Sequence, residues 1–152
     1  MQINWKRAIV AGIVGTVAFD VLGLILTGQW WDLPALLGMK TGLGFLGGLV
    51  GHYANGVVLA VIYAALAPSL WGSGWVRALT YVTLETVFAV WLTLFPLLGV
   101  GVAGIGAGPF MPIIALARHW AYGLALAWLY PLGAGTGSGD LVRAAFARAD
   151  ER

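Results

Sequence analysis

Four stretches of this chain run nearly free of charge for about the 20 residues that a helix needs to cross a hydrocarbon layer, and nothing else constrains its fold as much. They are residues 8–27, broken by Asp20; 45–67, around His52 and Asn55; 76–98, around Arg77 and Glu85; and 110–130, around Arg118 and His119. In hydrocarbon only helices and closed barrels satisfy every backbone polar group, and these apolar runs have helical length. The composition removes the soluble alternative. Charged residues are 9% of the chain and hydrophobic ones 61%, whereas a soluble domain carries about 25% charged residues to cover its surface. The expected fold is an all-α membrane protein with four transmembrane helices.

Basic residues orient such a bundle. Lys6 and Arg7 precede or open the first stretch, Arg77 opens the third, and Arg143, Arg148 and Arg152 follow the fourth, whereas the loops of the other side hold Lys40 alone. This places both termini in the cytoplasm of a bacterial cell, with two outer loops. Trp30, Trp31, Trp71 and Trp75 fall near stretch ends, where amphipathic rings settle at headgroup level. The first stretch has a basic start, but it is long, Asp20 interrupts it and no A-x-A site follows, so it reads as a retained helix.

The first outer loop, "QWWDLPALLGMKTG", reads as a short interfacial helix with Asp32 near its N-cap and Pro34 in its first turn. The second, "GVGVAGIGAGPFMP", has five glycines but lacks the lysine and the strand–loop–helix setting of a phosphate loop. Residues 1–133 form the membrane domain. Residues 134–152 form a linker and a short amphipathic tail, with Leu141, Val142, Ala145 and Phe146 toward lipid.

The chain also repeats itself. Trp5, Arg7, Ala8, Thr16, Val17, Leu22 and Leu24 match Trp75, Arg77, Ala78, Thr86, Val87, Leu92 and Leu94 at an offset of 70. His52, Ala54, Gly56, Leu59, Ala60 and Tyr63 match His119, Ala121, Gly123, Leu126, Ala127 and Tyr130 at an offset of 67. Leucine and alanine matches are cheap in so apolar a chain, but it holds two histidines only, and both fall at equivalent places. The expectation is a tandem duplication of a two-helix unit, over about 5–63 and about 75–130. Two spans per repeat give both repeats one orientation and a pseudo-twofold axis along the membrane normal. "RAIVAGIVGTVAFDVLGLIL", "LVGHYANGVVLAVIYAAL", "WVRALTYVTLETVFAVW" and "RHWAYGLALAWLY" together resemble a family of small bacterial four-helix membrane proteins catalogued only as a domain of unknown function. That resemblance implies a four-helix membrane fold and no activity.

Polar groups in hydrocarbon cost several kcal/mol unless satisfied. Asp20 reads as a buried partner of Arg118 or, alternatively, as a relay or support for a histidine. Glu85 reads as a protonated, packed side chain, or as a relay. Arg118 reads equally as a ligand for a lipid phosphate or cofactor propionate and as a side chain reaching the outer headgroups. On helices, Gly44, Gly48, His52, Gly56 and Ala60 form one stripe, and Ala115, His119, Gly123 and Ala127 another. Small-residue stripes mean close helix approach, with each histidine hydrogen-bonded across the seam, for instance to Asp20 or Asn55. They are also what a haem b held between His52 and His119 requires, with Arg118 toward a propionate.

No nucleophile–base pair and no H-E-x-x-H occurs, and two histidines make a poor zinc site. Without cysteine there is no disulfide, thiolate metal site or cysteine nucleophile. A net charge of +2 with no basic run argues against a nucleic-acid partner. The expectation is therefore a non-catalytic accessory or assembly subunit in the bilayer, packed against other integral membrane chains of a respiratory or photosynthetic type of complex or against itself. The alternative is a b-type haem or other tetrapyrrole protein for electron transfer or sensing, and a small transporter stands third. With cytoplasmic termini, a cysteine at residue 38 labels with an impermeant reagent from outside; labelling from the cytoplasm alone would overturn the topology.

Overall fold

A computed structural model describes residues 3–131, so the linker and amphipathic tail expected over 134–152 lie outside the described residues. Among these the chain is helical, with no strand. Helix α1 spans Trp5–Thr27, α2 Asp32–Thr41, α3 Gly44–Leu66 and α4 Gly74–Glu85. The third long stretch then continues from Thr86 to Leu94 with i→i+5 winding and ends in a short α5, Phe95–Leu97. A 3₁₀ segment, Val102–Ala107, leads into α6, Met111–Leu129.

Three stretches are long and apolar enough to cross a membrane: Trp5–Thr27, Gly44–Ser69 and Gly74–Leu97, of 23, 26 and 24 residues. The expected fourth, α6, is not among them. It has 19 residues, but Pro112, Arg118, His119 and several aromatic rings dilute its apolar content. It is nevertheless central, because it packs along both α1 and α4.

The packing inverts the soluble pattern. On α1 the buried face is Ala8, Ala11, Gly12, Gly15, Thr16, Phe19, Asp20 and Gly23, a helical spacing of mostly small residues. Ile9, Val10, Ile13, Val14, Val17 and Val21 face outward. Small residues inside let backbones approach, and large apolar ones outside suit lipid. A Cβ on Gly12 would meet the Cα of Val57 at 2.7 Å and the carbonyl of Gly56 at 2.9 Å. The α3 stripe of Gly48, His52, Gly56 and Ala60 is buried as its spacing predicts, while Gly44 is exposed at the helix start with φ 67°. Gly48 lies against Pro34 and Gly38 of α2, and Gly56 against Gly12 and Thr16 of α1. These stripes are thus consumed inside the chain.

Near the N-terminus the bundle is plugged. Tyr63 stacks near Tyr81 and Tyr130, with centroids 5.5 and 6.4 Å away, and the Tyr81 hydroxyl donates to the Leu59 carbonyl at 2.9 Å. At the other end α3 and the i→i+5 segment stand apart around a chamber. The two halves therefore differ: α2 is a ten-residue helix, while its counterpart is a glycine-rich 3₁₀ turn, and α1 is regular where the third stretch rewinds.

Valine at Gly12 must push two backbones apart, at a cost of about 1–3 kcal/mol. At Gly51 a Cβ meets nothing within 4 Å, so Gly51→Ala is neutral or slightly stabilising. Thermal unfolding in detergent measures both, and equal effects would refute the packing assignment. Because a Cβ on Gly38 would strike the Gly44 backbone while Met39 is 71% exposed, Met39→Cys is the better labelling position in the first loop.

Candidate functional site

The chamber holds about 680 Å³, within the range of small-molecule sites, about 300–1,000 Å³. Its wall is mainly apolar, with Leu33, Leu36, Leu59, Val90, Leu94 and Ile114 among the lining. Of the polar residues that the sequence places within the apolar stretches, His52, Asn55, Glu85, Arg118 and His119 line it, and Asp20 and Arg77 do not. Asp20 lies directly behind His52.

The polar groups form two clusters. In the first, His52 Nε2 donates to Asp20 Oδ1 at 2.9 Å, and the Tyr53 hydroxyl reaches Asp20 Oδ2 at 3.4 Å. Arg118 Nη2 stands 3.9 Å from Asp20 Oδ1. The principal partner of Arg118 is Asp32: Nη1 donates to Oδ2 at 2.7 Å and Nη2 to Oδ1 at 2.8 Å. This two-pronged pair is the strongest geometry open to a guanidinium. Arg118 neither reaches outward to headgroups nor leaves its fork free for an anion, and the Asp20 contact is the longer of its two.

The chain builds that pair with care. Asp32 is the first residue of α2, and Trp31 before it takes a left-handed backbone, φ 56°, which is rare for a bulky side chain. Trp31 is held there by Trp30 and Phe45, with centroids 5.4 and 5.7 Å away. On α1, Gly23 makes room, since a Cβ there would meet the guanidinium carbon at 2.5 Å. Burial of the Asp32 carboxyl opposes its charge, but the hydrogen bonds and charge of Arg118, with the N–H of Leu33, outweigh this and hold it below its ordinary value of 3.8.

In the second cluster, His119 Nδ1 donates to the Ala115 carbonyl at 2.7 Å, and its Nε2 faces Glu85 Oε2 at 3.4 Å. A carbonyl only accepts, so Nδ1 carries a proton. Glu85 Oε2 is buried without a hydrogen bond. Asp20 and Glu85 are not repeat mates: at the offset of 70, Asp20 corresponds to Val90 and Glu85 to Gly15.

His52 and His119 both line the chamber, and Phe19 packs against both rings. Its centroid is 5.6 Å from the His52 ring and 5.0 Å from the His119 ring, and Arg118 lies 4.2 Å over its face. A haem iron held by two histidines takes a nitrogen from each along one axis. Here each Nε2 faces a carboxylate and Phe19 packs against both rings, so the arrangement does not fit that group. Asn55 lines the chamber but is not the histidine partner. Among the described residues no group of three or more His, Cys, Asp or Glu side chains could hold a metal ion.

Asp32, Phe19 and Tyr53 were not legible as site residues. Asp32 stood out only as a helix start, Phe19 as one more apolar residue, and Tyr53 only by its place beside His52. Set against protein-family models, curated proteins and solved structures, the chain matches none of them.

Removing the cation of the buried cluster, Arg118→Leu, leaves Asp20 and Asp32 uncompensated and destabilises the chain by about 3–5 kcal/mol. The depressed value of Asp32 sets a pH signature. Its stabilisation is fully present above the ordinary carboxylate value of 3.8 and is lost as pH falls through the lower folded-state value. The gap in melting temperature between the wild type and Asp32→Asn therefore holds down to about pH 5 and closes only at more acidic pH; a gap closing between neutrality and that point contradicts the pairing.

Proposed function

We propose that this chain is a non-catalytic membrane protein that holds an amphipathic molecule in the chamber between α3 and the rewound part of the third span, and that it serves as an accessory subunit of a larger membrane assembly. The chamber carries this reading: an apolar cavity of about 680 Å³ with its polar side chains converging from α2, α3, α4 and α6. Such a wall is costly to build and suits an occupant with an apolar body and a polar end. With α6 crossing alongside the three apolar stretches, the chain makes four passes with both termini cytoplasmic and the chamber in the outer half. Descent from a duplicated two-helix unit accounts for the matched histidines.

The accessory role draws on the outer surface. The small residues of the inward stripes are used within the chain, but Gly51 faces out with open space around it, and the exposed face of α3 includes Leu46, Val50 and Val58. A small gap among large apolar side chains offers a place for another membrane helix to approach closely. The haem reading keeps one supporting fact, two histidines on one chamber, against the position of Phe19.

Organic extraction of the purified protein, followed by mass spectrometry, tests the binding role. The wild type is expected to release an amphipathic molecule in near-stoichiometric amount, and Leu36→Trp, which fills the chamber, to release little. Equal release from both refutes the chamber as the site. The visible spectrum is expected to lack a Soret band; a band abolished by either His52→Ala or His119→Ala would install the haem reading instead.

A further inference from the structure

We propose that Arg77 and the start of α4 hold the phosphate of one phospholipid from the leaflet at the plugged end of the bundle. This site is separate from the chamber, which has its apolar rim at Met39 and Leu97 and does not include Arg77. Arg77 is 9% exposed, and its Nε is buried with no hydrogen bond. Among the described residues no carboxylate pairs with it. Those residues hold three acidic side chains, Asp20, Asp32 and Glu85. The first two belong to the Arg118 cluster. Glu85 follows eight residues after Arg77, about 12 Å along the helix, where it faces His119. A guanidinium so buried and uncompensated is costly, and an anion from outside the chain removes that cost.

The backbone at the same place is open to an anion. Ser73 gives α4 no side-chain cap, and the first bond of the helix ladder runs from the Arg77 N–H to the Ser73 carbonyl. The N–H groups of Gly74, Trp75 and Val76 therefore have no acceptor within the helix, and such a helix start suits a phosphate. Helical side chains lean toward the N-terminus of their helix, which carries Arg77 to that end. Its charge lies within reach of the Tyr63 hydroxyl, itself 3.4 Å from the Gly74 carbonyl. The equivalent position in the first repeat differs on both counts. Arg7, the match of Arg77 at the offset of 70, is exposed, and Asn4 Oδ1 caps its helix by accepting from the Arg7 N–H. The second repeat alone combines a buried cation with an uncapped helix start.

The surroundings select a lipid over a free ion. Trp71 and Trp75 stand exposed beside the site, as rings do at headgroup level. An open groove of about 290 Å³ runs along α4, lined by Trp75, Val76, Leu79, Thr80, Thr83 and Leu84. Thr80 and Leu84 lie three and seven residues on from Arg77, on its side of the helix. A phosphate at Arg77 thus has an apolar track beside it for its acyl chain, which an inorganic ion would leave unused.

The test titrates the full-length, delipidated protein in mild detergent with dimyristoylphosphatidylglycerol, with dimyristoylglycerol, which lacks the phosphate, and with inorganic phosphate. Native mass spectrometry and melting temperature are the readouts. The phospholipid is expected to give a one-to-one adduct and a higher melting temperature, with the other two probes at least about tenfold weaker, the weight of one charge-assisted hydrogen bond. Arg77→Leu is expected to lose that preference, yet to melt no lower than the wild type without lipid, because it removes an uncompensated buried cation. Arg77→Lys, which keeps the charge without the fork, is expected to bind at an intermediate level. Arg7→Leu, at the exposed equivalent, is expected to weaken binding by less than about twofold. The site falls if Arg7→Leu weakens binding as much as Arg77→Leu, since general basic charge would then account for the adduct. Equal binding of dimyristoylglycerol also overturns it, and equal binding of inorganic phosphate overturns the lipid assignment. A lower lipid-free melting temperature in Arg77→Leu, matched when Asp140, Asp150 and Glu151 are all changed to their amides, would give the guanidinium a partner within the chain and overturn the proposal.

Discussion

The chamber end of the bundle depends on one guanidinium. Arg118 sits 6% exposed on α6, and a cation at that burial is tolerable only with its counter-charges in place. Asp32 supplies two short bonds from α2, and Asp20 a longer contact from α1. Asp20 in turn holds His52 on α3. One charged cluster thereby ties four helices together where the apolar packing has been opened for the chamber. Elsewhere small residues do this work: Gly12 on Gly56, Gly48 on Gly38, Gly123 on Val82. Close backbone packing and a cavity cannot occupy the same layer, so the charges hold the layer that the glycines cannot.

The chamber exists because the two halves are not alike. A faithful twofold would answer the close contact of α1 with α6 by an equal contact between α3 and the third span. Instead the third span changes winding immediately after Glu85, and its hydroxyl at Thr93 bonds five residues back to Phe88. Such i→i+5 turns are rare and often accompany functional sites. Here the rewound segment contributes Ala89, Val90, Thr93 and Leu94 to the chamber wall, and the rewinding starts at the carboxyl that faces His119.

How much of this the amino-acid order shows depends on the range of each interaction. The apolar stretches and the α3 stripe are local, periodic features: three of the four stretches are long and apolar enough to cross a membrane, and the stripe is buried from Gly48 to Ala60. His52 and His119 line one chamber, and the spacing of the sequence matches is the one feature that singles them out together. The Arg118–Asp32 pair joins residues 86 apart, on a span and on a loop helix, and no periodicity relates them. Phe19 is indistinguishable in pattern from its apolar neighbours, although its ring packs against both histidines and under Arg118. The rewinding falls within "TVFAVWLTL", where nearly uniform apolarity leaves no register to read. The same dilution that lowers α6 below its neighbours in apolar content comes from Arg118 and His119, the residues that make the site.

The tyrosine plug gives the molecule the form of a cup. Tyr122 donates to the Gly56 carbonyl and Tyr81 to the Leu59 carbonyl, sealing the floor with bonds between helices, while the mouth at Met39 and Leu97 stays apolar. On the proposed reading, such a cup would exchange its occupant with one leaflet. Its occupant would leave by the way it entered, and its filling would follow the composition of that leaflet. The protein would then act as a reporter or reservoir for one face of the bilayer, with no step that carries material across.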